Sequence, residues 1–240
     1  MKTPKTPKTP THPYRWLPFI TALFVTTLII SNIIAVKLIA LGGLFVPAAV
    51  ILFPLAYIFG DVLTEVYGFA RARQVIWTGF FCNLVAVLAI WLAGLLPAAP
   101  FWAAGSFSTP DAAQQAYNAI LGFTPRLLLA SFAAYLVGEF LNSFILAKLK
   151  IRTAGRHLWL RTILSTIVGE GADSLVFITL AFWGIFPPDV ILQSVLSQWF
   201  VKTAYETLAT PLTYLVVNAL KKAEGEDYYD KGTSFNPFKM

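Results

Sequence analysis

Acidic residues stand in pairs inside apolar stretches of this chain, where a charge needs an explanation. Asp61 and Glu65 are four residues apart, and Glu170 and Asp173 are three apart. Residues at these spacings share one face of a helix. A carboxylate at membrane depth is costly, so ionisable residues there usually face an interior cavity. The pairs therefore predict a polar site inside an otherwise apolar protein.

Three further apolar stretches carry polar residues in the same way. Glu139 and Asn142 are three apart, Lys202 and Glu206 are four apart, and Asn32 stands near the middle of the first stretch. Stripes on five stretches imply one shared polar interior. We expect its solute-binding residues to be Asn32, Tyr57, Asp61, Glu139, Asn142, Glu170, Asp173, Lys202 and Glu206.

Structural roles compete with this interpretation. Lys202 and Glu206 could simply pair with each other, since they lie one helical turn apart. Glu65 could meet Arg71 or Arg73 where its helix leaves the membrane. Glu139 and Asn142 could serve as hydrogen bonds between helices, which are typically worth about 0.6 kcal/mol. Two carboxylates one turn apart are costly as simple packing residues, so Glu170 and Asp173 favour the functional interpretation most.

The elements that must position these residues follow from the composition. The chain has 240 residues, of which 57% are hydrophobic and 12% are charged, whereas soluble domains are about a quarter charged. Its apolar blocks exceed 18 residues, which is the length that spans a bilayer. We predict an all-α polytopic membrane protein with six transmembrane helices. The blocks are 17–41, 46–69, 74–96, 125–149, 160–186 and 190–220, with a polar stretch at 97–124.

The basic residues predict the topology. Fifteen of the 18 Lys and Arg residues lie at the two ends of the chain or in the second and fourth connections between blocks. By the positive-inside rule, both termini are cytoplasmic. We expect the protein to lie in the cell (inner) membrane. We expect a disordered basic tail at 1–14, a transmembrane domain at 15–221, and a loose cytoplasmic tail at 222–240.

Several function classes are disfavoured. The net charge of +6 reflects topology, so no nucleic-acid partner is expected. The single cysteine, Cys82, stands inside an apolar block, and no Cys/His cluster predicts a metal or a cofactor. A membrane-embedded enzyme stays open as an alternative, because carboxylate pairs can act as acid and base. However, the apolar blocks contain no His, and no Gly-rich phosphate loop is present, so we predict a transporter.

The excess of carboxylates over Lys202 favours a solute that is cationic or rich in N–H donors. A guanine-like edge offers two parallel donors to one carboxylate, which gives strong and selective pairing. Tyr57 and Trp199 are among the aromatic residues that could stack on a planar ring, although packing between helices is the alternative for Trp199. The residues alone support a small polar solute and do not define it further.

At these positions the chain resembles the queuosine precursor transporter family, also called the vitamin uptake transporter family. The resemblance is carried by Ser31-Asn32, by FPLAYIFGDVLTEVYG at 53–68, by GEGADSLVF at 169–177 and by KTAYETLATPLTY at 202–214. It implies uptake of the 7-cyano and 7-aminomethyl forms of 7-deazaguanine. It also implies a six-helix fold similar to the substrate-binding components of energy-coupling-factor transporters.

Other purine-like or vitamin-like solutes remain the alternative. The chain has no nucleotide-binding motif, so a proton gradient, a sodium gradient, facilitated diffusion or a separate ATPase module could each drive uptake. Membrane lipid is the expected surrounding partner. The oligomeric state is not encoded in any pattern that we recognise.

Overall fold

The protein is described by a computed structural model that covers residues 14–41, 44–122 and 125–239. The covered residues form seven α-helices and one short β-hairpin, which confirms the all-α class. The helices are α1 (Leu17–Ile34), α2 (Phe53–Tyr67), α3 (Phe69–Leu95), α4 (Pro110–Leu121), α5 (Pro125–Arg152), α6 (Leu158–Phe182) and α7 (Pro188–Glu224). The hairpin pairs β1 (Leu38–Leu41) with β2 (Leu44–Pro47), and a 3₁₀ turn follows at Ala48–Ile51.

Four helical stretches are long and apolar enough to cross a membrane. They are α1, α3, a stretch within 110–152 that includes α5, and α6. The other two predicted spans are helical but differ from this set. α2 has only 15 residues, and α7 has 37 residues with polar side chains along its length. The chain is therefore a multi-pass membrane protein.

Exposure in this bundle is the reverse of that in a soluble protein. Leu208 and Leu215 on α7 are 81% and 70% exposed, whereas Glu139 and Glu170 are each 1% exposed. Large apolar side chains on α3 and α6 are exposed as well. A bilayer explains this arrangement, because lipid solvates the apolar exterior and polar groups must find partners inside.

α2 is the central helix, and nearly every side chain described in its second half is buried. Ile58, Val62 and Val66 pack into a core with Phe24 of α1 and Val217 of α7. The contacts of α2 with α1, α3, α5 and α7 bring four helices around it. A helix enclosed by protein need not match the bilayer thickness, which explains how a short helix carries Asp61 and Glu65 into the interior.

Two boundaries differ from the predicted blocks. The first block ends as a helix at Ile34, and the chain then forms the hairpin instead of continuing to residue 41. The stretch at 97–124, for which only a polar character was predicted, contains helix α4. Thr109 caps α4 by accepting a hydrogen bond from the Ala112 amide, Pro110 occupies the first turn, and Asp111 follows. These are ordinary helix-start signals that a hydropathy-based reading overlooks.

Both ends of the described chain meet at one end of the bundle, which we call the terminal end. The amides of Arg15 and Trp16 donate to the carboxylate of Glu224, at 3.0 and 2.7 Å. The Tyr67 hydroxyl donates to the same carboxylate at 2.9 Å. The predicted disordered tail at 1–14 lies, except for Tyr14, outside the described residues.

The C-terminal tail is attached to the bundle, which corrects the prediction that it is loose. Asp230 accepts the amide hydrogen of Phe69 at the start of α3, at 3.0 Å. Arg73 donates to the backbone carbonyls of Ser234 and Asn236, at 3.0 and 2.8 Å. Burial of apolar surface adds to these bonds, because the rings of Phe235 and Phe69 lie 5.1 Å apart. The tail composition is polar, and composition gave no signal of these specific partners.

Candidate functional site

Four helices bring eight of the nine predicted solute-binding residues together. We call this cluster the polar interior. It consists of Tyr57 and Asp61 from α2, Glu139 and Asn142 from α5, Glu170 and Asp173 from α6, and Lys202 and Glu206 from α7. All are buried except Lys202, whose side chain is 13% exposed. Each pair shares one helix face, as its spacing predicts, and the four faces converge.

An ammonium group joins α7 to both acidic residues of α6. Lys202 Nζ lies 2.5 Å from Asp173 Oδ2 and 3.0 Å from Glu170 Oε2. The ion pairs described for Lys202 thus lead to α6 rather than along its own helix to Glu206. The partners on α6 are preferred because one ammonium between two carboxylates offsets part of the cost of burying both. Lys202 is thus a central member of the polar interior and not an isolated intrahelical pair.

One turn closer to the terminal end, Asp61 and Glu206 form a second layer. The Asn142 amide donates to Asp61 Oδ1 at 2.8 Å. The carboxyl group of Glu206 has Asp61 of α2 and Thr166 of α6 as close neighbours. No donor among the described residues makes a well-formed hydrogen bond to either oxygen of Glu206, which is 4% exposed. This layer therefore contains two neighbouring acids without a cation.

Glu139 lies between these layers and is directed toward the central helix. A Cβ atom added to Gly60 of α2 would lie 2.9 Å from Glu139 Oε2, so the absence of a side chain there makes room for the carboxyl group. That oxygen has no hydrogen-bond partner among the described residues. The electrostatic neighbours of Glu139 include Glu170, Asp61 and Asp173. Glu139 therefore presents a buried acceptor inside the acidic cluster.

Glycine allows α5 and α6 to approach each other closely beside the site. A Cβ on Gly138 would lie 2.8 Å from the Tyr57 hydroxyl oxygen and 2.9 Å from Asp173 Cβ. A Cβ on Gly169 would lie 2.8 Å from Asn142 Cβ and 3.1 Å from the Gly138 carbonyl oxygen. Small residues at such crossings let backbones pack tightly in membranes. The small-residue positions thus set the spacing of the polar side chains beside them.

Asn32 does not share the contacts of the polar interior. Its side-chain amide donates to Asn83 Oδ1 of α3 at 3.0 Å, so it links α1 to α3. Trp199 likewise has a structural role, since its indole N–H donates to the Ile167 carbonyl at 2.8 Å and its ring lies against Gly171. The spacing of polar residues along one stretch gives no information on which neighbouring helix they face, and this explains both outcomes.

A second charged cluster, which we call the Glu65 charge centre, lies at the terminal end. Glu65 Oε1 accepts hydrogen bonds from Arg161 and Lys221, each at 2.7 Å, and lies 3.5 Å from Lys150 Nζ. Glu65, Arg161 and Lys150 are at most 1% exposed. The suggested pairing of Glu65 with Arg71 or Arg73 is therefore wrong. The three cations were assigned to topology alone, and their convergence on one carboxylate could not be predicted from their positions in the chain.

Asp227 connects the tail to the Glu65 charge centre. Its Oδ1 lies 2.6 Å from Lys150 Nζ and 2.8 Å from Lys221 Nζ. Partial burial raises the pKa of Asp227, but the hydrogen bonds from the two ammonium groups outweigh burial and hold its pKa below the ordinary 3.8. Burial raises the pKa of Asp230, although the Phe69 amide opposes that shift. The tail therefore contributes charge to a cluster that four helices share, namely α2, α5, α6 and α7.

The chemistry available to the polar interior is hydrogen bonding and ion pairing. The polar interior contains five carboxyl groups and one ammonium group. Buried oxygens of Glu139, Asn142 and Glu206 accept no hydrogen bond from the described residues. Such oxygens are suited to accept N–H groups from a solute. Within the described ranges, no group of three His, Cys, Asp or Glu side chains forms a potential metal site.

The fold and this interior define a multi-pass membrane transporter. Residues 47–216 match the family described as "Putative vitamin uptake transporter". This chain belongs to the vitamin uptake transporter family. The match covers α2 to most of α7, so it includes all eight residues of the polar interior.

Two curated relatives support the assignment. The chain is 32% identical over 180 residues to the "Probable queuosine precursor transporter" of Bacillus subtilis (strain 168), which is 75% of each chain. It is 27% identical over 134 residues to the "Queuosine precursor transporter" of Escherichia coli (strain K12), which is 55% of this chain and 52% of that protein. No solved structure matches the chain. Both relatives are named as transporters, which favours transport over the enzymatic alternative.

Proposed function

We propose that this chain imports queuosine precursors, namely 7-cyano-7-deazaguanine, 7-aminomethyl-7-deazaguanine or both, across the cytoplasmic membrane. The observation that carries the proposal is the buried pair of Glu170 and Asp173, which share a single ammonium group at 3.0 and 2.5 Å. The names of the two relatives supply the substrate class, and the acceptor-rich interior has the matching chemistry.

Glu170 and Asp173 are the residues that we assign to the donor edge of the solute. The guanine edge carries an N1–H and an exocyclic amine, which can donate in parallel to one carboxylate. Lys202 contacts both acidic residues. It can therefore give up its contact with one carboxylate, which then binds the solute, and keep its contact with the other. The ammonium group would then keep the loaded site from accumulating uncompensated charge.

Tyr57 and Glu139 flank this pair. The Tyr57 hydroxyl group lies beside Gly138, where α5 passes α6, and it has Asp173, Glu170 and Glu139 as electrostatic neighbours. We assign Glu139 to the aminomethyl form, whose cationic nitrogen would find a second carboxyl group there. The 7-cyano form lacks that charge. Affinity for the aminomethyl form should therefore depend on Glu139 more than affinity for the cyano form does.

The terminal end is the cytoplasmic side in this proposal, because the basic residues of the chain ends and of the α5–α6 connection lie there. Asp61, Asn142 and Glu206 then form the layer between the solute and the cytoplasm. Membrane transporters commonly bind solutes near the midplane between helices, and this arrangement agrees with that pattern.

Uptake in cells that cannot make the precursors, and that lack their own importer, tests the proposal. Labelled 7-cyano- or 7-aminomethyl-7-deazaguanine is supplied at low concentration, and queuosine in tRNA is measured with and without this chain. We expect queuosine to be restored by the chain and lost with Asp173→Asn or Glu170→Gln. The matched control is Asp189→Asn, because Asp189 is exposed at the start of α7.

Membrane abundance of each variant is measured alongside uptake, so that misfolding is recognised. Normal uptake by Asp173→Asn and Glu170→Gln would remove the assigned solute contacts. Absence of rescue by a well-inserted parent protein would remove the substrate class, and binding of other purines and of vitamins would then be compared.

A further inference from the structure

Three buried acids take no part in the ion pairs of the described residues. Among the described residues, the buried carboxylate of Glu65 pairs with the three cations of the Glu65 charge centre. Glu170 and Asp173 pair with Lys202. Asp61, Glu139 and Glu206 take part in none of those pairs, although they are 1%, 1% and 4% exposed. An isolated ionised carboxylate in such surroundings is far more costly than a neutral one.

Asp61 and Glu206 add a more specific observation. Their carboxyl groups are close electrostatic neighbours, and both oxygens of Glu206 are buried without a well-formed bond from any described donor. An ionised carboxylate can only accept hydrogen bonds, whereas a protonated carboxyl group can also donate. One proton on this pair would supply the missing donor. Two adjacent carboxyl groups that cannot both ionise commonly share a proton in this way.

The surroundings of the pair favour a proton over another cation. Facing it are Glu65 from α2, Glu139 and Asn142 from α5, Thr166 and Glu170 from α6, and, one turn along α7, Lys202. The described residues contain no group of three His, Cys, Asp or Glu side chains that could hold a metal ion. The Asn142 amide already donates to Asp61, and the Thr166 hydroxyl is a neighbour of Glu206.

The position of the pair suggests what its proton does. Asp61 is one turn from Glu65, a rise of about 6 Å along α2, and Glu206 is one turn from Lys202 along α7. The pair therefore lies between the proposed solute contacts and the Glu65 charge centre. Any opening of the bundle toward the terminal end would bring water to the pair next to the solute.

We propose that the Asp61–Glu206 pair is a proton-binding site that couples solute uptake to the transmembrane proton gradient. This inference rests on the transport function proposed above. When the site is open to the acidic side, a proton from water forms an O–H bond with one carboxyl oxygen. The two carboxyl groups then share that proton in a hydrogen bond. The O–H bond breaks when water reaches the pair from the other side, and the proton leaves with the solute. The carboxyl group returns to its initial state, so the step balances.

Reconstituted full-length protein in liposomes tests the inference with labelled 7-cyano-7-deazaguanine, which lacks the titratable aminomethyl group. Net uptake is compared with and without an inside-alkaline pH gradient, and solute exchange is measured at equal pH on both sides. We expect the gradient to increase uptake by the parent protein at least several-fold. Glu206→Gln and Asp61→Asn should lose that increase, while Asp189→Asn should behave as the parent.

The outcomes separate the two proposals. Uptake by the parent that ignores the pH gradient, or that follows a sodium gradient instead, overturns the proton site but leaves the transport function standing. Gradient-driven accumulation by Glu206→Gln at the parental level overturns it as well. Failure of the parent to move the precursor in either mode counts against the proposed function.

A second measurement tests whether the Asp61–Glu206 pair holds a proton even if the parent protein does not move the precursor. Infrared spectroscopy of the purified protein near neutral pH should show a protonated-carboxyl band that is weaker in Glu206→Gln and unchanged in Asp189→Asn. Equal band intensity in the parent and Glu206→Gln would overturn the site. Thermal unfolding of each variant in detergent confirms that the comparison is made between folded proteins.

Discussion

Lys202 and Asp173 connect α7 to α6 through an ion pair with an Nζ–Oδ2 distance of 2.5 Å, and the same ammonium group also reaches Glu170. Their side chains are 13% and 7% exposed, so neither charge is well solvated. A buried charge whose partner is removed typically destabilises a protein by about 3–5 kcal/mol. The ion pair thus connects the stability of the bundle to the residues that we assign to solute binding.

Replacement of Lys202 by methionine tests that connection. Lys202→Met leaves Glu170 and Asp173 without their cation, so we expect a lower thermal midpoint in detergent and loss of precursor uptake. Lys202→Arg keeps the charge and should retain most of the stability. Equal thermal midpoints for Lys202→Met and the parent protein would show that the ion pair contributes no net stability.

The glycine at the crossing of α5 and α6 gives a steric prediction. Gly138→Ala places a Cβ atom 2.8 Å from the Tyr57 hydroxyl oxygen and 2.9 Å from Asp173 Cβ, closer than van der Waals contact allows. We expect weaker solute binding and a loss of stability of about 1–3 kcal/mol, the usual cost of overpacking. Gly184→Ala in the α6–α7 connection meets no atom within 4 Å, but its positive φ of 79° makes it a control for backbone strain alone.

Neutralisation of Glu65 should be more damaging than neutralisation of an exposed acid. Glu65→Gln removes the charge that faces Arg161, Lys221 and Lys150, of which Arg161 and Lys150 are each 1% exposed. We expect poor accumulation in the membrane, because like charges would be buried together at a cost of several kcal/mol. Glu65→Asp keeps the charge and should be milder. Membrane abundance and the thermal midpoint are measured for both variants. Values for Glu65→Gln equal to those of the parent protein would contradict the prediction.

Removal of the tail tests its attachment. A chain that ends at Gly225 loses the acceptors that Asp227 and Tyr228 provide to Lys150, at 2.6 and 2.7 Å. It also uncovers Phe69, which is 1% exposed. We expect the thermal midpoint to fall by about 5 °C or more, from a loss of a few kcal/mol. A chain that lacks only its last two residues is the control, and equal midpoints for the two truncations would show that the tail is dispensable for stability.

The two acids of the tail predict opposite responses to pH. The pKa of Asp227 is held below 3.8, so its contribution to attachment is present above pH 3.8 and is lost as pH falls through the lowered value. The pKa of Asp230 is raised above 3.8, so its contribution favours attachment at low pH and is lost as pH rises through the raised value. Attachment should therefore be strongest in mildly acidic solution.

Hydrogen exchange measures this pH dependence. The Tyr228 amide, which donates to the Val66 carbonyl at 3.2 Å, reports on the tail after correction for the intrinsic pH dependence of exchange. Asp227→Asn should reduce protection at neutral pH and remove the acid limb of the profile. Protection that increases steadily from pH 4 to pH 8 in the parent protein would contradict the assignment of Asp230.

The sequence was sufficient to identify every described helix except α4, and most of the interior. Spacing of three or four residues places Glu170 beside Asp173, and bilayer energetics require those faces to turn inward. Both inferences need only local information. The role of the site residues in solute binding stays a prediction, because proximity does not establish contact with a solute.

Pairings between distant segments could not be obtained in the same way. Glu65 meets Lys221, 156 residues further along the chain, and Lys202 selects α6 over its own neighbour Glu206. Asn32 faces α3, and no periodicity within α1 indicates which helix lies opposite. Asp227 and Asp230 stand in a polar segment whose composition is typical of a loose tail, so their buried partners become visible only in three dimensions.

The close approach at Gly138 and Gly169 has a mechanical consequence. Backbones in such tight contact, with Gly138 O only 3.1 Å from a Cβ built on Gly169, cannot separate or slide without losing that packing. We therefore expect α5 and α6 to move as one rigid body during transport, and α2 and α7 to shift relative to it. The ion pairs of Lys202 connect α7 to α6, and the Asp61–Asn142 hydrogen bond connects α2 to α5. These contacts would have to break before the two helix pairs could shift relative to each other.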